Sequence, residues 1–412
     1  MTPPVFAACA MEGAAVIDVP FETVTTCHWC RSTELTELAT RADGIPVLRC
    51  ARCHLAMTGA LPEDLGVFYD ADYYSRSVHE DMPTTGYVDY ERAFSPLSFR
   101  WLTALLRAST RPDQRQLFDI GAATGSFLEM AAHDGFVVAG SELNSQGAAE
   151  ARSKGLDVRS GLFDPSHWEP ASFGVVTALE VLEHITDVRA FLEQLEIILK
   201  PDGLFCYFVP NLPDHLIDRY GSNALDFNKT LEHTLYFNER VLEEIISTSF
   251  PDATHTLWTK DVEQHGQTVS FALGVVRLGG GHTVERDVLR YGLSDATDGL
   301  PLDYDGLVAA ALCAAKFFRF PAAHDALAAA RKDRPGSLAA VEAQLLRNEG
   351  RLLDAIDVLT EAISEKRIAH DPVIAALLVE VLQDFLVLVG ATGSDLGAMF
   401  RDLHVMITRL SG

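Results

Sequence analysis

The sequence predicts an α/β protein centred on a doubly wound parallel sheet, with a small metal-held ribbon before it and an all-helical region after it. Three observations lead there. Two CxxC pairs stand near the start, Cys27 with Cys30 in "CHWC" and Cys50 with Cys53 in "CARC". From Gln116 to Asn211 short apolar runs alternate with segments of helical period, the pattern of parallel strands covered by helices. Beyond about Gly299 the chain becomes rich in Ala and Leu at helical spacing.

A chain of 412 residues, 48% of them hydrophobic, has room for two or three domains with real cores. Its formal net charge of -25 repels phosphate backbones and anionic membranes. A small-molecule partner is therefore expected, and nucleic acid or membrane is not. The opening "MTPPVFAACAMEG" has no basic stretch ahead of a long apolar core, so a cytoplasmic protein without a signal peptide is expected.

The ribbon is expected over residues 22–60. Each CxxC makes a knuckle that aims two thiolates at one point, and two knuckles complete a tetrahedral four-sulfur set suited to structural zinc. Paired disulfides suit a cytoplasmic chain poorly, and a redox CxxC needs no second copy. A closed four-cysteine site leaves no coordination position for substrate, so its task is to hold the ribbon together. Cys9, Cys206 and Cys313 are scattered and read as structural. Residues 61–110, an aromatic connector containing "FYDADYY" and then a helical pattern ending near Ser109, read as a cap.

The sheet domain is expected over 111–278. In order it offers "LFDI" as a strand, "GSFLEMAAHDG" as a helix, "FVVAGSEL" as a strand, "QGAAEARSKG" as a helix and "LDVRSG" as a strand. "FGVVTALEVLEH" reads as strand and turn, "VRAFLEQLEIILKPDG" as a helix, "GLFCYFVPN" as a strand, "NERVLEEIISTSF" as the last helix and "QTVSFALGVVRL" as an edge strand. "LGGGHTVERD" reads as a linker. The helical region, 300–412, pairs small residues seven apart, Ala323 with Ala330 and Ala355 with Ala362, which faintly resembles tetratricopeptide helices. An ordinary helical bundle is the other reading. Either suits a homodimer contact or a protein partner. "VIAALLVEVLQDFLVLVGA", from Val373, carries Glu380, Gln383 and Asp384 at helical spacing and reads as an amphipathic core helix, not a membrane span.

The turn "DIGAATG" after the first strand of the sheet carries the most chemistry. It lacks the Lys and Ser/Thr that anchor a triphosphate, and Ala123 stands where a dinucleotide loop has its second glycine. Glu142 ends the next strand 23 residues after Asp119, where an acid can take both hydroxyls of a ribose. The ligand these features suit contains an adenosine and an amino acid, and no phosphate.

From Leu117 to Asn211 the chain resembles the class I S-adenosylmethionine-dependent methyltransferases, with "FDIGAATGSF" matching that family's first motif. The resemblance implies a Rossmann-like methyltransferase sheet. It also implies that Asp119, Gly121, Ala123 and Gly125 line the methionine and ribose side and that Glu142 and Leu143 hold ribose and adenine. The backbone around Leu162 would face the adenine, and Leu179 with Glu180 would lie beneath the sulfonium. Two departures stand out: Leu162 replaces a common adenine-contacting Asp, and Gly174 in "FGVV" stands where the family often has Asp. The ribbon followed by "FYDADYY" resembles the N-terminal module of bacterial methyltransferases acting on sugars, glycans or other natural products. It makes Tyr73 and Tyr74 candidates to close over the cofactor or stack on a sugar ring.

"ALEVLEHITD" contains an ExxEH set, Glu180, Glu183 and His184, and His233 follows in "LEHTLYFN". Similar sequences occur in ubiquinone-biosynthesis methyltransferases and small-RNA 2′-O-methyltransferases, where they help bind a divalent metal. Three readings compete. His184 can act as the general base that takes the acceptor proton, the reading favoured from the sequence. Glu180, Glu183, His184 and His233 can hold a divalent metal that lowers the acceptor pKa. The same side chains can also simply brace the loop. Glu183, His184 and His233 are the catalytic candidates, and methyl transfer to a hydroxyl of a sugar, glycan or natural product is the expected reaction. A cofactor-fold scaffold that binds partners through ribbon and tail, or an RNA-modifying enzyme, are the rival readings.

Overall fold

A computed structural model of the chain describes residues 21–62, 96–228, 232–264, 266–281, 283–293, 302–333, 338–364 and 372–388. Tyr73, Tyr74 and Cys9 lie outside the described residues. The chain divides into two compact units. The second comprises the segment Pro96–Ser109, with helix α1 (Arg100–Ala108), and everything from Thr283 onward. This helix falls within the 61–110 segment read as a cap, and its buried stripe Trp101, Leu102, Leu105 and Leu106 belongs to the helical unit.

The first unit begins with the ribbon strands β1 (Phe21–Thr23), β2 (Leu35–Thr40), β3 (Pro46–Cys50), β4 (Ala56–Thr58) and β5 (Ala60–Pro62). The main sheet follows with β6 (Gln116–Ile120), β7 (Val137–Glu142), β8 (Asp157–Ser160), β9 (Phe173–Leu179) and β10 (Leu199–Asn211). Then come β11 (Leu235–Tyr236), β12 (Thr254–Gln264) and β13 (Gln267–Arg277). Between them run α2 (Ser126–His133), α3 (Ser145–Ser153), α4 (Val188–Ile198), α5 (Asp214–Tyr220) and α6 (Glu239–Ser249).

Local chemistry explains these helices. Asn144 caps α3 through the amides of Gln146 and Gly147, Asp187 caps α4 through Ala190, and Asn238 caps α6 through Val241. α4 buries Val188, Phe191, Leu192, Leu195 and Ile198, one face of a 3.6-residue period. It stops at Ile198, earlier than the sequence suggested, because Leu199 turns extended and pairs with Phe173.

The main sheet has the order β12-β13-β10-β9-β6-β7-β8. β8, β7, β6, β9 and β10 are parallel, while β13 runs antiparallel to β10 and β12 antiparallel to β13. The all-parallel expectation is corrected to a mixed sheet. The run "QTVSFALGVVRL" is not an edge strand either, since β12 lies outside it. A two-residue link from β12 to β13 is a hairpin connection, and hairpins make antiparallel pairs. The chain order reverses between β6 and β9, which opens a crevice at the carboxyl ends of these strands.

The ribbon does not stand alone. Its sheet has the order β11-β4-β3-β2, so a strand more than 170 residues downstream completes it. Cys27, Trp29, Cys50, Leu55 and Met57 share one core with Leu182, Leu235, Phe237 and Val241.

Two interior positions give testable consequences. A Cβ on Gly174 would lie 2.0 Å from the backbone oxygen of Gln114, so the departure from the family's Asp has a steric cause. Gly174→Ala is expected to destabilise the fold by about 3 kcal/mol or more; an unchanged urea midpoint would refute the contact. On β12, His255 Nε2 and the buried Tyr207 hydroxyl share a hydrogen bond at 2.9 Å, and burial depresses the imidazole to about 4. The unfolded chain takes up this proton near pH 6.5 and the folded chain only near 4. Stability should therefore fall by about 1.4 kcal/mol per unit as pH drops through that window. His255→Gln is expected to flatten that slope in pH-dependent melts.

The second unit is helical: α7 (Val284–Leu293), α8 (Tyr304–Lys316), α9 (Phe320–Asp333), α10 (Ala339–Asn348), α11 (Leu352–Ser364) and α12 (Pro372–Leu388). α8 packs on α9 and α10, and α11 on α10 and α12. Ala323, Ala330, Ala355 and Ala362, the small residues seven apart, are all buried. On α12, Glu380 and Asp384 pair with Arg347 of α10, as an amphipathic helix requires. Among the described residues no helix is long and apolar enough to cross a membrane.

Candidate active site and cysteine cluster

The loop after β6 is built for close approach. Gly121, Ala123 and Gly125 all have positive φ, of 74°, 46° and 85°. A Cβ on Gly121 would meet Val181 Cγ2 at 2.7 Å, and one on Gly125 would meet Leu156 Cδ1 at 2.4 Å. Ala123 holds a left-handed conformation that L residues avoid, and its amide donates to Glu142 Oε2 at 2.9 Å. The Asn144 amide donates to the other oxygen, Oε1, at 2.7 Å. The loop and the acid at the end of β7 are thereby locked to each other.

Asp119, 3% exposed at the end of β6, accepts from Thr177 Oγ1 on the neighbouring β9 at 2.6 Å. Leu143 is partly buried beside Glu142, and Leu162 is 76% exposed in the loop after β8. Leu179 ends β9, and Glu180 follows it, exposed and with a positive φ of 55°. All the cofactor candidates thus stand at the carboxyl ends of β6, β7 and β9 or on the loops that follow β6, β7, β8 and β9. Thr177, Asn144 and Gly140, whose added Cβ would lie 2.8 Å from the Asp119 carbonyl, escaped the sequence reading. A glycine inside a strand was the available signal for Gly140.

The Glu142→Ala exchange is expected to weaken S-adenosylhomocysteine binding roughly 10- to 100-fold, the worth of losing charge-assisted hydrogen bonds to a ribose. Equal titration calorimetry curves for variant and parent would remove Glu142 from the cofactor site.

Beyond Glu180 lies a second group. Glu183, His184 and His233 offer ligand atoms within 4.8 Å of one another. Glu180, the fourth member of the set expected from the sequence, stands outside this group: it is exposed at the strand's exit, while Glu183 is buried. Glu183 is 1% exposed, and neither carboxylate oxygen has a hydrogen-bond partner. His233 Nε2 stands 4.0 Å from Glu183 Oε1, too far for a hydrogen bond. The His184 and His233 rings meet edge to face at 4.8 Å between centroids, and His184 Nδ1 lies 3.3 Å from the Glu232 carbonyl. Burial, and next the nearby Glu180 charge, push the Glu183 carboxyl well above its usual range. Burial lowers His184, which keeps its imidazole neutral near pH 7. A buried carboxylate without a donor needs a proton or a cation. A carboxylate beside two imidazoles is a fitting donor set for a divalent metal.

The four cysteines also converge, with ligand atoms within 4.8 Å of one another. Cys27 Sγ lies 3.5 Å from Cys53 Sγ, and Cys30 Sγ lies 3.5 Å from Cys50 Sγ. All four are free thiols. Sulfurs bound tetrahedrally at ~2.3 Å from an ion stand ~3.8 Å apart, so the geometry fits zinc. Cys27 is depressed to about 5 by its bond to Cys53, whose own thiol is driven upward by the same pairing. Cys206 and Cys313 are buried and are not among the clustered thiols.

Residues 94–248 match the family model described as a methyltransferase domain. The chain therefore carries an S-adenosylmethionine-dependent methyltransferase domain with a mixed Rossmann-like sheet. Among curated proteins it is similar to a ubiquinone biosynthesis O-methyltransferase of Paramagnetospirillum magneticum, at 36% identity over 22% of this chain and 38% of that one. Another of the same name from Idiomarina loihiensis is 34% identical over 22% of this chain and 40% of its own. The chain spans about two fifths of the length of these relatives. A solved methyltransferase of Archaeoglobus fulgidus is similar at 16% identity over 46% of this chain and 99% of that one, with a TM-score of 0.34.

Proposed function

We propose that the chain transfers a methyl group from S-adenosylmethionine to a hydroxyl oxygen of a small-molecule acceptor. The observation that carries this reading is the pair of assemblies at the carboxyl end of the sheet's central strands: the loop locked to Glu142, and the group of Glu183, His184 and His233. The sulfonium is already an activated leaving group, so rate comes mainly from holding methyl and acceptor in line. Asp119, Gly121, Ala123, Gly125, Glu142, Leu143, Leu162, Leu179 and Glu180 are assigned to the cofactor.

The acceptor hydroxyl must lose its proton, and Glu183, His184 and His233 are assigned to that step. The partnerless Glu183 carboxylate favours a divalent metal here over His184 acting alone. When bound, such a metal would lower the acceptor's pKa. His184 as sole general base is the second reading, supported by its neutral imidazole. The four-cysteine cluster is assigned to a structural zinc.

The acceptor class, a sugar, glycan or similar natural product, is proposed from the likeness of the ribbon to the N-terminal module of bacterial methyltransferases acting on such compounds. A cavity of about 400 Å³, lined among others by Arg49, Asn211, Asp214 and Arg240, shares no residue with the cofactor loop or with the group of Glu183, His184 and His233 and carries no part of this reading. The relatives' names favour a ubiquinone precursor instead. Incubation with methyl-labelled cofactor and parallel panels of nucleotide sugars, glycans and quinone precursors, read by mass spectrometry, separates the two. Failure to bind S-adenosylmethionine or its demethylated product would end the enzyme reading in favour of a scaffold.

A further inference from the structure

We propose that Arg41, in the ribbon, is a positioning residue for His233, and that the ribbon is the frame that completes the reactive centre. The inference rests on the assignment of Glu183, His184 and His233 to the acceptor's proton. Arg41 lies in the turn between β2 and β3, and its side chain is 2% exposed. A guanidinium is costly to bury, and this one is held by Asp43, also buried, at 2.6 Å. Asp43 is itself tied down, because its Oδ1 accepts the Ile45 amide at 3.1 Å.

That pairing occupies one face of the fork and aims Nη1 out of the ribbon. Nη1 donates to the His233 carbonyl at 3.3 Å and to the Tyr236 hydroxyl at 3.4 Å, reaching 192 and 195 positions along the chain. Tyr236 is buried and pairs with Ala56 of β4, while Leu235 pairs with Met57. The Thr58 amide donates to the Thr234 carbonyl at 2.9 Å. From the other side the Thr234 amide and hydroxyl donate to the Glu183 carbonyl, at 2.8 and 3.1 Å.

The segment from His233 to Tyr236 is thus clamped between the ribbon and the turn that carries Glu183 and His184. Every residue in it receives a ribbon contact, and Arg41 supplies the one to His233. Were the pair only a means of burying surface, apolar side chains would serve as well. The two donor directions of Nη1 instead fix where His233 leaves the strand, and so where its imidazole sits against Glu183. Lysine cannot reproduce this fork, because a single ammonium cannot hold Asp43, the carbonyl and the hydroxyl in one plane.

The test uses the full chain with ¹³C,¹⁵N-labelled histidine, in the parent, in Arg41→Lys and in the paired Arg41→Met/Asp43→Asn variant. The pair variant removes both charges and so guards against loss of fold from an orphaned Asp43. His233 and His184 imidazole signals are assigned by single exchanges, with His255 on β12 as the internal control. The expected result is a shifted or broadened His233 signal in both variants, with the His255 signal and the affinity for S-adenosylhomocysteine unchanged. With an acceptor in hand, kcat should fall at least tenfold while that affinity stays within twofold. A His233 signal identical to the parent's in either folded variant overturns the proposal. Failure of the methyl-transfer reading would show separately, as absent S-adenosylhomocysteine binding in the parent, and leaves the imidazole readout intact.

Discussion

Exchanging Cys50 for serine, or stripping the metal with a strong chelator under reducing conditions, is expected to unfold the ribbon and lower the melting midpoint by more than ~10 °C. Three of the four sulfur-bearing residues are at most 1% exposed, and they share a core with Trp29, Leu55 and Met57 of the ribbon and with Leu182, Leu235 and Phe237 of the main domain. A structural zinc site contributes roughly 10–16 kcal/mol of apparent binding energy at neutral pH. That matches or exceeds the whole stability of an ordinary domain, about 5–15 kcal/mol. Without an ion, four thiols at these distances cannot all ionise, and the upward drive on Cys53 is the mark of that conflict. The loss should not stop at the ribbon, because β11 is hydrogen-bonded to β4 and Arg41 holds the His233 carbonyl. Elemental analysis should give one zinc per chain for the parent and much less for Cys50→Ser. A metal-free chain that melts with the parent would remove zinc from the account.

Local spacing made much of the fold legible, and long-range pairing hid the rest. Asp119, Gly121, Gly125 and Glu142 stand on one strand–turn–helix–strand passage, where the order of residue types dictates the order of elements. The two cysteine knuckles are legible for the same reason, since each encodes its own turn. The alternation of "QTVSFALGVVRL" marks a strand but says nothing of its neighbours. Its partner β12, "THTLWTKDVEQ", interleaves polar residues that no short window singles out. Arg41 reads in sequence as one more charged residue in a turn; its role depends on a carbonyl 192 positions away. The ExxEH set was visible as a motif, but which of its acids turns inward was not. That choice follows from a left-handed Glu180 at the strand's exit, which leaves Glu183 as the buried one.

That buried acid gives the second large effect. Glu183→Gln, His184→Ala and His233→Ala are each expected to lower kcat roughly 10²- to 10⁴-fold, the usual worth of proton handling in a transition state. S-adenosylhomocysteine affinity should stay close to the parent's, because the loop and Glu142 are intact in all three. Combining two exchanges should cost little more than one, since the side chains would act as a unit. Stability separates Glu183 from an ordinary ion pair. Its folded carboxyl is raised above the unfolded value by burial and by Glu180, so ionisation works against the fold. The chelated parent is the chain treated with a chelator too weak to take a zinc from the four cysteines, so that the ribbon stays folded. In it this penalty is absent below the ordinary carboxylate range and grows as pH rises through it. The E183Q variant has no such charge, so it should melt at least as high as the chelated parent at pH 7 while losing turnover. Titrating a divalent metal back into the chelated enzyme then divides the two chemical readings. Recovery of turnover by the parent and not by E183Q assigns the group to a metal. Full turnover after chelation, still abolished by His184→Ala, assigns His184 as the base. Full turnover in all three variants would reduce the group to a brace for the loop.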